Sequence, residues 1–346
     1  MDSTIRAYRR SLAVLVFALT PFAGEVRNLL WKSASSNHLT ERNAHAMVYD
    51  IDSHEVVLFG GADANHVCAD TWLWDGTART WRFLTARGPG PRTFPAFAYD
   101  ELKHEAILFG GNRVLFGKGG EENSFLGDTW RFRNHRWNEI LTPGPGARAE
   151  AAIAYDRRRE RIVLFGGYRR IGEETQRFGD TWEWNGERWM KMASTGPSPR
   201  NSAAMTYDEE RGRVVLFGGS GPSNETWEWD GQRWTPLRAG DVPGRFNPVM
   251  VYDAARHEVV RFGGWTGKVR ASDTLLLRSG QWVPLNVAGP PARNHSAMVY
   301  DRKRNAAVLY GGHDGDNVFG DTWEWDGTTW TMKASVPSEK FVDNGH

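Results

Sequence analysis

One set of residues recurs six times along this chain at fixed intervals, and that constrains its fold more than any other feature. Gly-Gly pairs stand at 60–61, 110–111, 166–167, 218–219, 263–264 and 311–312. An arginine lies 18 residues before each pair: Arg42, Arg92, Arg148, Arg200, Arg245 and Arg293. A Tyr-Asp pair falls between arginine and glycines every time, from Tyr49-Asp50 to Tyr300-Asp301. Asp-Thr-Trp follows the glycines at 70–72, 128–130, 180–182 and 321–323, and is altered in the other two units to Glu225-Thr226-Trp227 and Asp273-Thr274-Leu275. A further Trp closes each unit, 11 residues before the next arginine.

Each unit spells four strands. The first ends on the Tyr, and the second is an apolar run such as EVVLF before the glycines. The third alternates, as in TWEWD, which puts Trp182 and Trp184 on one face. Asn185-Gly186, Asp230-Gly231 and Asp326-Gly327 predict tight turns into the fourth strand, which carries the closing Trp. No stretch keeps a helical period over several turns. The chain therefore reads as all-β, a six-bladed β-propeller of four-stranded antiparallel blades. Trp is present 17 times, and 15 of these fall in third or fourth strands, where the rings are expected to fill space between blades.

These residues resemble the kelch repeat, whose pattern joins a Gly-Gly at the end of the second strand, a Tyr before the first turn and a later Trp. The resemblance spans roughly residues 42–334. It implies one propeller domain over 42–336, with a C-terminal tail at 337–346. It also brings precedents for activity. Galactose oxidases carry copper on two His, two Tyr and a Cys cross-linked to one Tyr. Cys68 is the single cysteine here, on a shorter chain, which argues against that centre. Secreted bacterial sialic-acid epimerases are nearer in size and act through polar residues at the propeller mouth.

Residues 1–24 read as an export signal, with Arg6, Arg9 and Arg10 preceding an apolar run from Leu12 to Leu19. The run is shorter than the ~20 residues a membrane span needs. Retained, it is the one expected membrane contact; removed, it leaves a secreted or periplasmic protein. Residues 25–41 form a linking segment, in which Trp31 stands 11 residues before Arg42. That interval predicts an extra outer strand over 28–33, beside the Trp330 strand or in its place, tying the ring shut.

Charge excludes one class of partner. Lys and Arg total 43 against 42 Asp and Glu, so a net charge of +1 gives no bulk basis for binding nucleic acid. One cysteine rules out an intrachain disulfide and a thiolate-rich metal site. No metal is expected from the histidine spacing, no fingerprint for a cofactor is present, and a monomer is expected.

Insertions concentrate in one connection. The interval from Gly-Gly to the third-strand Trp, or Leu275, runs 12, 20, 16, 9, 12 and 12 residues, whereas the other spacings hardly change. Strand alternation puts these loops on the same end of the ring as the fourth-to-first connections that carry the six arginines. That end is the expected binding face. Its candidate ligand-binding residues are Arg42, His45, Arg92, Arg113, Arg148, Glu150, Tyr168, Arg170, Arg200, Arg245, Trp265, Arg293, His295 and His313. The non-repeated members of this set are the stronger candidates, because the scaffold does not demand them. The expected function is binding of a protein or polysaccharide. The alternatives are an enzyme acting on an anionic sugar and a structural envelope component.

Overall fold

The computed structural model describes residues 38–114, 124–221 and 223–336. Residues 1–24, expected to be an export signal, and Trp31 lie outside them. Six four-stranded antiparallel sheets follow one another, each built from consecutive strands except the third, where a separate two-stranded hairpin stands between the second and third strands. Blade 1 comprises Ala46–Asp50, Glu55–Phe59, Thr71–Asp75 and Thr80–Thr85. Blade 6 comprises Ala297–Asp301, Ala306–Tyr310, Asp321–Trp325 and Trp330–Ser335. First strands contact first strands around the ring, blade 6 against blade 1 included, and so enclose a central channel. Among the described residues no helix is long and apolar enough to cross a membrane.

Several letters of the repeat have a mechanical task at a blade junction. In Asp-Thr-Trp the Thr hydroxyl accepts the indole N–H of the next blade's fourth-strand Trp. Trp137 donates to Thr71, Trp189 to Thr129, Trp234 to Thr181, Trp282 to Thr226 and Trp330 to Thr274, and Trp81 closes the circle on Thr322 at 2.9 Å. The second glycine of each pair donates its N–H to the carbonyl of the next blade's arginine, from Gly61 to Arg92 round to Gly312 to Arg42. Both glycines of blade 3 have left-handed φ, and a Cβ on Gly166 would lie 2.3 Å from the Arg200 carbonyl oxygen. The Tyr hydroxyls lean on the preceding blade's Asp: Tyr99 on Asp50 at 3.0 Å and Tyr300 on Asp253 at 2.8 Å.

Two expectations change in detail. The Asn-Gly and Asp-Gly turns are four-residue loops, not two-residue ones. Gly186 alone adopts positive φ there, while Asn185 Oδ1 accepts the N–H of both Glu187 and Arg188. Trp182 is only half buried, because its indole N–H turns out to Asp180, whereas Trp184 is fully buried in the core between blades 2 and 3.

Ring closure uses the same bonds as every other junction. The Trp330 strand pairs with Asp321–Trp325 of its own blade, and the extra outer strand expected over 28–33 lies outside the described residues. Ahead of blade 1, Leu39 is buried with residues of blades 1 and 6, and the Tyr310 hydroxyl donates to the Thr40 carbonyl at 2.8 Å.

Candidate functional site

The six repeated arginines leave the list of ligand contacts. They are 1–4 % exposed and held inside their own blades. Arg92 shows the pattern: Nη1 donates to the Gly110 carbonyl at 3.0 Å, and the guanidinium grips Asp128 through two bonds of 2.7 and 2.9 Å. Arg42 pairs with Asp70, Arg148 with Asp180, Arg200 with Glu225, Arg245 with Asp273 and Arg293 with Asp321. The first residue of Asp-Thr-Trp is thus the arginine's counter-ion. In five of the six the guanidinium donors are taken up inside the blade, which leaves none for a ligand at the mouth; Arg245 makes a single bond to its carboxylate and keeps its Nε without a partner among the described residues.

What these arginines position is the segment just after them. Two residues on stand Ala44, Phe94, Glu150, Ser202, Asn247 and His295, all in the left-handed region with φ between 45° and 62°. Non-glycine residues rarely adopt that conformation. The ring over-determines it through a belt of backbone bonds from blade to blade. Phe94 N–H donates to Ala44, Glu150 to Phe94, Ser202 to Glu150, Asn247 to Ser202, and Ala44 to His295 across the closure. The scaffold repeats the backbone six times and fills it with six different side chains. Together with His45 they line a cavity of about 130 Å³ at the mouth of the channel.

The non-repeated candidates reach the same end. In five of the six blades the residue after the Gly-Gly pairs with the residue after the arginine, as in Ala149 with Tyr168, Phe246 with Trp265 and Asn294 with His313. Arg113 follows Asn112, which pairs with Thr93 in the same way. In blade 3 the long connection folds into its own hairpin, Tyr168–Ile171 with Glu174–Arg177, which carries half-buried Arg170.

The chemistry divides between two sides. Blades 3 and 6 are opposite in a ring of six, so Glu150 and His295 face each other across the mouth. Glu150 Oε2 accepts the Ser202 hydroxyl in a short bond and the Asn201 amide at 2.7 Å. Burial nevertheless holds its carboxyl above the usual range, against those two bonds and the pull of Arg177. On the other side His295 Nδ1 and His313 Nε2 are 2.9 Å apart, a contact that needs one ring to donate and the other to accept. Burial, then His313 and Arg270, push His295 well below the ordinary histidine range, and burial with Arg270 lowers His313 to about 4 against the pull of Asp314. The Phe94 ring meets His295 edge-on. His45 is buried with both ring nitrogens lacking a hydrogen-bond partner among the described residues, and burial lowers it to about 3. Cys68 is buried, its thiol pushed up to about 11, which suits packing and not nucleophilic attack.

Phe94 and Ser202 were not among the sequence candidates. Aligning the six units on the arginine and looking for the most varied column finds them. The left-handed backbone that turns that column inward is what the sequence does not announce.

The opposite end of the channel is spanned by ion pairs. The residues after the Tyr-Asp pairs of blades 2, 3, 4 and 6 form a cycle of ion pairs. Arg157 bridges Glu101 at 3.1 Å and Glu209 at 3.5 Å; Arg302 bridges Glu101 at 3.2 Å and also pairs with Glu209. This cycle borders a channel cavity of about 200 Å³.

Comparison with known protein families and with curated proteins finds no match, so the reading of the site rests on its own geometry.

Proposed function

We propose that this protein is an exported propeller of the kelch type that acts as a binding module, taking a polar glycan or protein segment over the channel mouth on the variable-loop face. The observation that carries the reading is the column of six left-handed residues, where an invariant backbone presents Ala44, Phe94, Glu150, Ser202, Asn247 and His295. Variation on a fixed scaffold is where recognition is expected. The kelch assignment draws on the Gly-Gly, Tyr-Asp and Trp residues, each of which serves a junction between blades. The site offers hydroxyl, amide, carboxyl and imidazole groups around an aromatic ring, a set suited to a hydroxyl-rich ligand.

A glycan array followed by calorimetry on the best ligand tests this. Glu150→Gln and His295→Asn should each weaken binding at least tenfold, and Arg302→Met at the ion-paired end should leave it unchanged. Equal losses from all three would remove the mouth from consideration.

One observation favours a second reading, acid–base catalysis on an anionic sugar. A carboxyl of raised proton affinity faces an imidazole kept neutral, with Arg177 and Arg270 contributing positive potential on the two sides. Groups shifted in opposite senses across one cavity suit proton donation and abstraction. Proton exchange at the anomeric or α-carbon of an acidic sugar, followed by NMR, separates an enzyme from a binder.

A further inference from the structure

Blade 5 departs from the repeat in a compensated way. In every other blade a second-strand Leu pairs with the third-strand Trp: Leu58 with Trp72, Leu108 with Trp130, Leu164 with Trp182, Leu216 with Trp227 and Leu309 with Trp323. In blade 5 the pair is Arg261 with Leu275. Elsewhere the indole N–H donates to the acidic residue two positions earlier, as Trp323 does to Asp321 at 2.7 Å. Leucine cannot do this, and the arginine across the sheet brings the nearest replacement donor.

The replacement leaves charge over. Each of the other five blades sets its repeated arginine against one carboxylate. Blade 5 sets two, Arg245 and Arg261, against Asp273 alone. Arg245 takes the carboxylate at 2.8 Å, and Arg261 Nη2 stays 3.7 Å from the same oxygen, beyond hydrogen-bond reach. Arg261 is completely buried, its guanidinium 4.2 Å above the Phe217 ring and 5.2 Å from that of Trp282. All three of its nitrogens, Arg245 Nε and Asp273 Oδ1 are buried and have no hydrogen-bond partner among the described residues. Burial lowers Arg261 to about 9, which still leaves it charged at neutral pH. A buried cation with unfilled donors is among the most costly arrangements in a protein, and a ring contact offsets it only in part.

The exchange also changes the side-chain volume at this place. Leu275 is smaller than the indole it replaces by most of a ring, and an arginine is little larger than the leucine it displaces. Asp273 is one-third exposed and gives a route from solvent. We propose that blade 5 binds one small monovalent anion of the halide class between the Arg261 and Arg245 guanidinium groups, beside Asp273. A single excess charge calls for a single counter-charge. A phosphate or sulfate would bring two charges against the Asp273 carboxylate and needs more space than the Trp-to-Leu exchange frees. The proposal is independent of the reading of the channel mouth.

Crystals of the full chain soaked in sodium bromide test it directly. An anomalous peak between the two guanidinium groups is expected. The same region without a peak, with Asp273 turned to hydrogen-bond Arg261, would overturn the proposal. In solution, the melting temperature should rise with the logarithm of chloride concentration when sodium chloride replaces sodium gluconate at constant ionic strength. The Arg261→Leu, Leu275→Trp double variant, which restores the pair found in the other blades, should melt independently of the anion. Equal anion dependence in wild type and variant would refute the site even if both fold well.

Discussion

Where the six inner strands begin, the residues at the channel mouth are Ala44, Phe94, Glu150, Ser202, Asn247 and His295; where they end, the corresponding residues are Ile51, Glu101, Arg157, Glu209, Ala254 and Arg302. Both sets occupy one repeated backbone position per blade. The second set solves a problem of its own, since four alternating charges neutralise one another around the axis. The first set does not. Its carboxyl and its imidazoles sit on opposite sides, each stabilised by neighbours on its own side, and a cavity remains between them. Departure from the repeat alone does not mark a site. Departure that leaves polar groups facing open space does.

The change expected to cost most removes the frame on which both ends depend. Trp184 is fully buried between blades 2 and 3. Trp184→Ala should lose about 3–5 kcal/mol, read by urea denaturation. Half-buried Trp182, with its indole N–H on Asp180, should cost clearly less on the same change. Equal losses would mean that the two rings share the core load.

Acid should separate the ends next. A histidine whose folded pKa is depressed adds stability that is complete above its unfolded value and is lost as pH falls toward the folded one. For His45 that window runs from pH 6.5 down to about 3. On the order of 2–3 kcal/mol should disappear by pH 4. His313 acts in the same direction from pH 6.5 to about 4. Glu150 has the opposite sign: its raised pKa favours the fold at low pH and weakens it as pH rises. A His45→Gln variant should therefore show a flatter stability curve between pH 6.5 and 4. An unchanged acid limb would mean that the ring is hydrated in the native state.

Salt should act on the ion-paired end. The ion-pair cycle is partly exposed, with side chains from 18 % exposed at Glu101 to 52 % at Arg157, so solvent screens it. Arg302→Met should cost about 0.5–1 kcal/mol at low ionic strength and almost nothing near 1 M salt. A loss that persists at high salt would show that Arg302 packs more than it pairs.

How much of this could be read beforehand follows from the kind of signal each part leaves. Blade number, strand order and the turn positions are written in the spacing of Gly-Gly, Tyr-Asp and Trp, because each serves a junction that recurs. The arginines misled because a residue on the loop face looks available until its counter-ion is known. The repeated first letter of Asp-Thr-Trp was that counter-ion, 28 residues away in the case of Arg42 and Asp70. The mouth was less legible still. Nothing in Ala44 or Phe94 announces a left-handed backbone, which is imposed by bonds from neighbouring blades. Glu150, His295 and His313 were found by being polar and unrepeated; that Glu150 and His295 lie opposite one another follows from blade count alone.

The smallest stability change should come from Trp265, and it sharpens the comparison most for the mouth. Trp265 is one of two Trp that fit no third or fourth strand, and it begins the variable connection of blade 5. Its backbone is pinned to Phe246 by reciprocal hydrogen bonds of 2.9 and 2.8 Å, and its ring stacks on Phe246 with centroids 5.4 Å apart. The backbone bonds survive truncation of the side chain; the ring contact does not. An aromatic pair of this kind contributes about 0.5–1.5 kcal/mol, and half-burial puts Trp265→Ala at the lower end of that range. If the mouth and its loops form one recognition surface, the same variant should weaken ligand binding well beyond its loss in stability, since a half-buried aromatic side chain is a frequent energetic centre of recognition. Phe246→Ala is the control: it removes the same stacking energy from beneath. Equal binding losses would make the pair a single platform, whereas a loss confined to Trp265→Ala would identify the indole itself as the contact. Intact binding in both would restrict recognition to the ring of left-handed residues around Glu150 and His295.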